Sequence, residues 1–379
     1  MFCVRIAHVF KDAHPPVAAG ITRYVADLAA ASVKRGAEVD VLVAGVKHTR
    51  SEMRPDGVRI QRFRESARAL SMPLSVELVK AAASVEADIV HLHLPNPVGE
   101  LGAVANKGNH GLVLSFHAQL GKQKALAPVY GPLQRKLMSR ADRVLASSRT
   151  LMEAPELERA GDRLRFAPYG VSPRMVAPEP RMFRPLDGPL RVLFVGRLVY
   201  YKGIDVLLDA VSDLDDVALT ILGDGAMREA LSSRIEADRT LSSKVVMRHD
   251  ADDDAVIEAH HDHDVIVLPS VSRAEAFGLS MAEAMANGLP AISTSLGTGT
   301  DWVNIHGESG LVVAPEDATA LRDALGAMRD DAVRRRLAAG ATTRARTVFD
   351  FEAHADRVHE WYDEAIASAR GLTTEEALT

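Results

Sequence analysis

Two glutamates stand in a stretch that is otherwise small and apolar, SRAEAFGLSMAEAMANGLP, residues 272–290. A strand pattern ends just before this stretch, so Glu275 is predicted in a loop and Glu283 in the helix that follows. At about 100° per residue, eight helical steps would leave the two about 80° apart around the axis. Carboxylates at a helix N-terminus can accept hydrogen bonds from hydroxyls while the helix amides bind an anion. The alternative is one exposed acid plus one acid that is favourably placed in a first helical turn.

A second stretch, FVGRLVYYKG at residues 194–203, carries two cations where a predicted strand ends. Gly196 permits a tight turn, Arg197 follows it directly, and Lys202 comes five positions later. A planar guanidinium and a point-like ammonium beside a glycine turn can hold a diphosphate between them. The competing interpretation is that both are ordinary surface cations, as most Lys and Arg residues are.

Two further glycine turns follow predicted strands and are weaker signals. In LGDGAMREAL, residues 222–231, Asp224 could be nothing more than a helix N-cap. In PPVAAGITRY, residues 15–24, small residues up to Gly20 would let the backbone approach an anionic ligand at the start of a helix. This stretch lacks the Gly-x-Gly-x-x-Gly pattern, so an ordinary strand–helix turn is an equal alternative.

The histidines do not predict a metal site. His91 and His93 alternate along one face of a strand, and HHDHD at residues 260–264 stands at a predicted helix end, where its spacing converges poorly on one ion. His117 ends the predicted strand GLVLSFHA and is the better candidate for an active-site residue. A buried structural histidine is the competing interpretation.

Composition excludes several classes of protein. The 379 residues are 47% hydrophobic and 25% charged, which is typical of a folded globular chain of two domains. Cys3 is the single cysteine, so neither an intrachain disulfide nor a thiolate metal cluster is expected. The chain begins with a predicted strand and not a signal peptide, and no apolar run reaches the roughly 18 residues of a membrane span. These features predict a cytoplasmic protein.

Short apolar runs alternate with helical patterns nearly throughout, which predicts an α/β fold of two doubly wound Rossmann-like domains facing each other across a cleft. Six prolines between residues 166 and 189 indicate a linker. The predicted organisation is an N-terminal domain, a linker, a C-terminal domain, and a final helix that packs back onto another surface. The corresponding ranges are 1–170, 171–189, 190–353 and about 354–379.

Together these motifs resemble the retaining glycosyltransferases of family 4, which have the GT-B fold. Glu275-x7-Glu283 with AFG inside it, preceded by LPS and followed by NGLPAIS, carries the resemblance. GRLVYYKG is similar to the family's phosphate-binding turn, LGDG to its next strand end, and GESGLVV to a later segment. The order and spacing of the motifs make the match specific, most of all between Leu193 and Val313.

The resemblance implies that the first domain binds the acceptor, that the second binds the nucleotide sugar, and that the final helix crosses back to the first domain. It also implies roles for individual residues. Arg197 and Lys202, beside Gly196, would bind the donor diphosphate, and Glu275 would contact the hydroxyls of the donor sugar. Glu283 would hold the ribose hydroxyls, and His117 would lie near the transferred sugar. The remaining residues implied in donor binding act through their backbone and are Gly20, Phe277, Gly278 and Leu279. The chain departs from the family pattern where it has Ala19 before Gly20 and Tyr169 before Gly170.

The reaction implied is transfer of a hexose from a nucleotide-diphosphate sugar with retention at the anomeric carbon. It requires no metal and no cofactor, because the cations and the helix N-terminus stabilise the departing diphosphate. SLGTGTDWVN and SRAEAFGL look more like bacterial surface-polysaccharide mannosyltransferases than like starch or sucrose enzymes. GDP-mannose is therefore the first expectation for the donor and a UDP-sugar the second.

The acceptor is expected to be a glycan or a lipid-linked molecule. Residues 1–185 hold 27 Lys+Arg and 17 Asp+Glu, a net charge of +10, whereas the remainder has a net charge of −16. Residues 117–141 contain five Lys or Arg and no acid, among apolar residues. This basic stretch favours peripheral docking on an anionic membrane at its inner face. A solvated surface without a partner is the equal alternative, and no nucleic acid partner is predicted.

Two other classes of function share parts of these motifs. A sugar-nucleotide epimerase or hydrolase of GT-B fold would use the same diphosphate clamp without an acceptor. A non-catalytic nucleotide-sugar-binding protein would keep Lys202 and Glu283 but could lose Glu275. All three residues are present, which counts against the non-catalytic alternative.

Overall fold

The computed structural model describes residues 3–15, 17, 20–69, 72–117, 127–178 and 181–372. Its internal contacts divide the chain into two units. The first comprises Met1–Gly170 together with Glu352–Thr379, and the second is Val171–Phe351. Each unit is an α/β structure with its own sheet and its own hydrophobic core.

The sheet of the first unit has eight strands: β1 (Arg5–Val9), β2 (Glu38–Val46), β3 (Arg50–Met53), β4 (Arg59–Arg64), β7 (Ile89–Leu94), β8 (Gly111–Phe116), β9 (Arg143–Ala146) and β10 (Leu164–Phe166). Their order is β10-β9-β8-β7-β1-β2-β4-β3, and only β3 is antiparallel to its neighbour. Strands β5 (Ala67–Ala69) and β6 (Met72–Leu74) form a separate antiparallel pair.

The helices of the first unit connect these parallel strands. They are α1 (Gly20–Lys34), α2 (Val76–Ser84), α3 (Pro97–Ala105), α4 (Ala127–Arg140), α5 (Arg149–Met152) and the final helix α14 (Phe351–Arg370). A 3₁₀ segment, Pro155–Arg163, precedes β10. Parallel strands need such crossover helices, which cover the sheet and explain why every residue of β7 and β8 is buried.

The second unit has a six-stranded, entirely parallel sheet. Its strands are β11 (Leu190–Val195), β12 (Val217–Leu222), β13 (Val245–Arg248), β14 (Val265–Leu268), β15 (Ala291–Thr294) and β16 (Gly310–Val313), in the order β13-β12-β11-β14-β15-β16. Its helices are α6 (Ile204–Ser212), α7 (Arg228–Ala237), α8 (Arg239–Ser242), α9 (Asp253–Asp262), α10 (Leu279–Ala286), α11 (Thr300–Val303), α12 (Ala318–Ala327) and α13 (Asp331–Val348). The strand order reverses between β11 and β14, which is where open parallel sheets bind ligands.

The proline-rich segment 171–189 is not a free linker, contrary to the sequence prediction. Met175 is fully buried. The side-chain amide of Asn287 forms two hydrogen bonds with the backbone here: it accepts from Ala177 N–H at 2.8 Å and donates to the Met175 carbonyl at 2.6 Å. Further on, Arg181 forms a 3.1 Å ion pair with the fully buried Asp264. The segment therefore belongs to the second unit, to which Asn287 joins it through its backbone and Asp264 through the Arg181 side chain.

The final helix begins at Phe351 and ends at Arg370, so it is longer at its start than predicted; residues 373–379 lie outside the described residues. It packs on the sheet of the first unit, where Tyr362 Oη lies 2.6 Å from Nδ1 of His91 and His354 Nε2 lies 3.0 Å from Tyr24 Oη. A Cβ on Gly111 would lie 2.8 Å from the Ala365 carbonyl carbon, which shows how closely helix and strand approach.

Among the described residues, no helix is long and apolar enough to cross a membrane.

Candidate active site

Two glycine turns pack backbone against backbone at the carboxyl ends of β11 and β12. Gly196 N–H donates to the Leu222 carbonyl at 3.0 Å, and Leu198 N–H donates to the Asp224 carbonyl at 2.9 Å. A Cβ on Gly223 would lie only 1.9 Å from the Gly196 carbonyl oxygen. The LGDG turn therefore supports the turn that carries Arg197, and Gly223 is required because no side chain fits between the two backbones.

The segment that carries Lys202 is fixed in a similar way. Residues Tyr200–Lys202 form a 3₁₀ turn that ends at Gly203, whose φ of +66° lies in the left-handed region. A Cβ on Gly203 would lie 2.0 Å from the Pro269 carbonyl oxygen, and Val271 N–H donates to the Tyr201 carbonyl at 2.8 Å. The lysine turn is thus joined to the chain that leaves β14 and leads to Glu275.

This close packing brings two of the predicted site residues together. Lys202 Nζ and Glu275 Oε2 form an ion pair of 2.5 Å, and each side chain is 10% exposed. Ser270 Oγ donates to the same carboxylate oxygen at 3.1 Å. The sequence assigned the lysine and the glutamate to different parts of one ligand, and the structure shows that they are also partners of each other.

Arg197 has a different environment although it lies on the same turn. Its side chain is exposed, and Nη2 donates to the hydroxyl of Tyr201 at 3.2 Å. Lys202, by comparison, is buried. The turn therefore presents one fixed ammonium and one outer guanidinium, an arrangement suited to an extended anion such as a diphosphate.

Helix α10 begins directly after the Glu275 loop. Gly278 adopts φ +86°, and a Cβ there would lie 2.9 Å from Leu268 Cδ2, so glycine is required at this N-cap. Phe277 is buried and its ring packs against Phe349 at 5.9 Å, which leaves its backbone as the part available to a ligand. Like any helix start, the first turn at Leu279 leaves N–H groups without intrahelical acceptors. Glu283 lies inside α10 and is buried.

In the first unit, His117 belongs to a chain of stacked, buried rings. His8 Nδ1 lies 3.0 Å from His93 Nε2, and His93 Nδ1 lies 3.0 Å from His117 Nε2. His117 Nδ1 then bonds to the Tyr169 hydroxyl. Both nitrogens of His117 are therefore engaged within the unit, and the residue is 2% exposed. Gly20, the other predicted residue of this unit, is the first residue of α1; Ala19 lies outside the described residues.

The described residues offer one group that could hold a metal ion, formed by His8, His91 and His93, whose ring nitrogens lie within 4.8 Å of one another. Five of their six ring nitrogens already bond to one another or to His117, Tyr362 and Ser115. A divalent cation would have to break several of these bonds, and its charge would be costly among buried neutral rings. The group fits a hydrogen-bonded cluster better than a metal site.

The HHDHD segment is likewise structural. His260 Nδ1 lies 3.0 Å from the Asn287 amide, His263 Nε2 lies 2.8 Å from the Thr220 hydroxyl, and Asp264 pairs with Arg181 and Arg191. These side chains point to different partners in the core and do not converge on one point.

Four functional candidates escaped the sequence analysis: His8, Tyr169, Ser270 and Thr298. His8 could have been identified as a polar residue inside a buried parallel strand, and Ser270 as a polar residue just after the end of a strand. Tyr169 was noted only as a departure from a family pattern. Nothing in the local sequence of Thr298 indicated that its hydroxyl donates to the Glu275 carbonyl, at 2.8 Å, from 23 residues away.

Two family models match the chain. The model described as glycosyl transferases group 1 matches residues 180–344, and the model described as glycosyltransferase family 4 matches residues 18–174. Relatives match over most of the sequence. The D-inositol 3-phosphate glycosyltransferase of Xylanimonas cellulosilytica is 31% identical, with 87% of this chain and 88% of that protein covered. The chain belongs to glycosyltransferase family 4.

Two other relatives are 29% identical. They are the D-rhamnosyltransferase WbpZ of Pseudomonas aeruginosa, with 85% of this chain and 86% of that protein covered, and the O-antigen chain mannosyltransferase C of Escherichia coli, with 85% and 88% covered. The chain is therefore an enzyme that transfers a sugar.

Solved structures show the same fold at lower identity. Sucrose-phosphate synthase from Thermosynechococcus elongatus superposes with a TM-score of 0.79 at 23% identity, covering 96% of this chain and all of that one. HepE from Anabaena, in complex with UDP and glucose, superposes with a TM-score of 0.75 at 17% identity, covering 94% and 98%. The fold is GT-B, with two Rossmann-like α/β domains.

Acid should destabilise the first unit through the histidine chain. Burial lowers the pKa of His8 and of His117 to about 3, whereas both side chains titrate near 6.5 in an unfolded chain. Between these values the unfolded state binds more protons, so stability falls as the pH drops below about 6.5. Each histidine should remove about 1.4 kcal/mol of unfolding free energy for each further pH unit. Urea unfolding at pH 7, 6 and 5, followed by Trp361 fluorescence in a Trp302→Phe background, measures this.

The control is His48→Gln, because His48 is exposed on the first unit and its loss should leave the pH dependence unchanged. His8→Gln should make the dependence shallower by about one proton. The assignment of His8 as a buried neutral group is wrong if that variant keeps the full slope of the parent chain.

Proposed function

We propose that this chain is a retaining glycosyltransferase that moves a hexose from a nucleotide-diphosphate sugar to a glycan or lipid-linked acceptor in surface-polysaccharide or glycolipid synthesis. The observation that carries the proposal is the ion pair between Lys202 and Glu275, 2.5 Å apart beside the exposed Arg197 and the start of α10. Cations for a diphosphate and a carboxylate for sugar hydroxyls therefore lie side by side, at the ligand-binding edge of a Rossmann-like sheet.

The chemical task in such a transfer is to stabilise charge. As the bond to the anomeric carbon breaks, the diphosphate gains negative charge and the sugar becomes oxocarbenium-like. Lys202, Arg197 and the N–H groups at the start of α10 supply positive potential where the negative charge develops. Glu275 accepts hydrogen bonds from hydroxyls of the transferred sugar, and Glu283 accepts them from the ribose.

Donor binding must rearrange the ion pair. A diphosphate that binds Lys202 competes with Glu275 for the same ammonium, and it offers more negative charge than one carboxylate does. Glu275 is then available to sugar hydroxyls, while a positive charge remains nearby to offset its own. In the absence of donor, Lys202 and Glu275 neutralise each other, because leaving either buried charge without a partner would cost free energy.

Retention at the anomeric carbon follows if the acceptor attacks from the face that the diphosphate leaves. In this arrangement a leaving phosphate oxygen takes the proton of the acceptor hydroxyl, so no protein base and no covalent sugar–enzyme intermediate is needed. The residues proposed here provide the charge stabilisation themselves, and the reaction accordingly needs neither a metal nor a cofactor. His117, through its bond to Tyr169, orders the part of the first unit assigned to the acceptor.

The donor is proposed to be GDP-mannose, with a UDP-sugar as the second choice. Support for mannose comes from the similarity to the E. coli O-antigen chain mannosyltransferase C, and support for UDP from the structure of HepE with UDP and glucose. The P. aeruginosa relative is named a D-rhamnosyltransferase, so the proposal includes a deoxyhexose as the transferred sugar.

Membrane docking is proposed for helix α4. Its inner face is buried at Tyr130, Leu137 and Met138, whereas Arg135 and Lys136 are exposed on the opposite side. Residues 118–126, which include Lys122 and Lys124 of the predicted basic stretch, lie outside the described residues. An exposed basic helix on a unit whose sequence is net positive suits an anionic surface. The proposed location is the cytoplasm, at the inner face of the membrane.

Thermal stabilisation should identify the donor base. GDP should raise the Tm more than UDP or dTDP at equal concentration, because a ligand that binds the folded state more tightly stabilises it more. GDP-mannose should raise it further if Glu275 contacts the sugar. A larger shift with UDP would replace the first donor proposal by the second, and the absence of any shift with all three diphosphates would contradict a nucleotide-sugar site.

Lys202→Ala and Glu275→Gln should each lower kcat/KM at least tenfold, which corresponds to about 1.4 kcal/mol or more of transition-state stabilisation. The glutamine variant is preferred because it keeps the shape of the side chain and removes its charge. Steady-state transfer with the best donor measures this. Matched controls are Arg322→Ala and Glu236→Ala, which remove a cationic guanidinium and a carboxylate elsewhere on the second unit and should leave activity unchanged.

Near-normal turnover in either site variant would contradict the role of that residue. Release of free sugar or of isomerised donor at full rate without an acceptor would instead favour a hydrolase or an epimerase.

Vesicle sedimentation tests the membrane proposal. The chain should sediment with vesicles that contain anionic lipid and much less with neutral ones, and binding should weaken with added salt. Replacing Lys122, Lys124, Arg135 and Lys136 by glutamine should abolish most of the binding. The matched control replaces four exposed arginines of the second unit: Arg228, Arg239, Arg335 and Arg346. Equal binding by both variants would defeat the proposal for α4.

A further inference from the structure

Two groups hold the carboxylate of Glu275, and both contact the same oxygen. Lys202 Nζ lies 2.5 Å from Oε2, and Ser270 Oγ donates to Oε2 at 3.1 Å. Ser270 is fully buried and follows the last residue of β14 by two positions. The ammonium is on the turn after β11, so the carboxylate is held from two neighbouring strands of the sheet.

These two contacts differ in what happens when a donor binds. If the diphosphate takes Lys202, the ionic contact to Glu275 is weakened at the moment when Glu275 must face the sugar. The Ser270 hydroxyl carries no charge, so a diphosphate does not compete for it in the same way. A hydrogen bond from a neutral donor to a carboxylate still contributes substantially to its orientation.

We propose that Ser270 is a positioning residue that keeps Glu275 oriented toward the donor sugar after Lys202 has turned to the diphosphate, and that Thr298 does the same for the backbone of Glu275. This inference rests on the proposed role of Glu275 in sugar binding. It assigns a task to two hydroxyls that do not themselves touch the ligand.

The surroundings of Ser270 support this assignment, because they fix its hydroxyl in place. The Ser270 carbonyl accepts a hydrogen bond from the Thr294 hydroxyl of β15. The backbone of Ser270 is therefore hydrogen-bonded to the next strand, and its side-chain hydroxyl donates to Glu275. Substituting the side chain alone leaves this backbone bond intact.

Thr298 holds the other end of the Glu275 loop. Its Oγ1 donates to the Glu275 carbonyl at 2.8 Å and lies 3.0 Å from the Thr300 hydroxyl. Gly299 N–H donates to the Ala276 carbonyl at 2.9 Å, which joins the two segments a second time. Backbone and carboxylate of Glu275 are thus restrained from opposite sides by groups that a diphosphate would leave undisturbed.

The test is a double-mutant cycle measured by steady-state transfer. Ser270→Ala should lower kcat about tenfold while leaving the affinity for the tightest-binding of GDP, UDP and dTDP within twofold, because these probes lack the sugar. In a Glu275→Gln background the same substitution should have almost no further effect, since Ser270 acts through Glu275. Thr298→Val should show the same pattern, with a smaller loss of kcat.

The matched control is Ser293→Ala. Ser293 is also a buried serine at a strand of this sheet, but its hydroxyl accepts from the Asn304 amide and does not contact Glu275. It should change Tm by about as much as Ser270→Ala and leave kcat unchanged. Ser270→Thr, which keeps the hydroxyl, should recover most of the activity.

Three outcomes would overturn the inference. The first is an unchanged kcat in Ser270→Ala, and the second is a loss of kcat on this substitution that is as large in the Glu275→Gln background as in the parent chain. The third is a loss of nucleoside diphosphate affinity in Ser270→Ala as large as its loss of kcat. If Glu275→Gln itself retains full activity, the proposed role of Glu275 fails instead. The two failures are therefore distinguishable.

Discussion

The geometry of the second unit depends on two places where backbones touch without room for a side chain. At Gly223 the turn after β12 lies against the Gly196 carbonyl, and at Gly203 the turn after β11 lies against the Pro269 carbonyl. Each contact fixes one loop to the next along the ligand-binding edge of the sheet. The position of Lys202 relative to Glu275 is a consequence of these contacts, because they fix the loops that carry the two side chains.

The charged side chains on these loops differ in how deeply they are buried. Lys202 is buried and paired, whereas Arg197 on the same turn is exposed and donates from Nη2 to the Tyr201 hydroxyl. In the proposed function, an incoming anion would meet the exposed cation first and the paired one afterwards. The hydroxyls of Ser270 and Thr298 are neutral; the first donates to the Glu275 carboxylate and the second to the Glu275 backbone carbonyl. In the proposed function, charged groups therefore bind the anion while neutral hydroxyls orient Glu275.

Much of this could be predicted from the sequence, because strand ends and glycine turns leave strong local signals. The two-sheet α/β architecture, the loop position of Glu275 and the helical position of Glu283 all followed from apolar runs and their spacing. The sequence analysis did not identify the arginine-rich β4, RIQRFR, because its buried Ile60 and Phe63 stand among polar residues without the apolar alternation of a strand. Segment 171–189 was misread because its docking depends on Asn287 and Asp264, more than 80 residues away in sequence. Contacts of that kind leave no local pattern.

The histidine chain of the first unit has a direction as well as a geometry. A neutral imidazole has one N–H and one lone pair on its two nitrogens. The nitrogen that carries the proton in His8 therefore determines which nitrogen carries it in His93 and then in His117. Nε2 of His8 has no partner among the described residues, and a buried N–H there would be costlier than a buried lone pair. The proton of His8 therefore belongs on Nδ1, and every bond in the chain points toward Tyr169. The Tyr169 hydroxyl receives a hydrogen bond from His117 and keeps its own hydrogen to donate, so a lone pair on β1 without a hydrogen-bond partner in the described part of the chain sets the hydrogen-bond direction at a phenol three rings away.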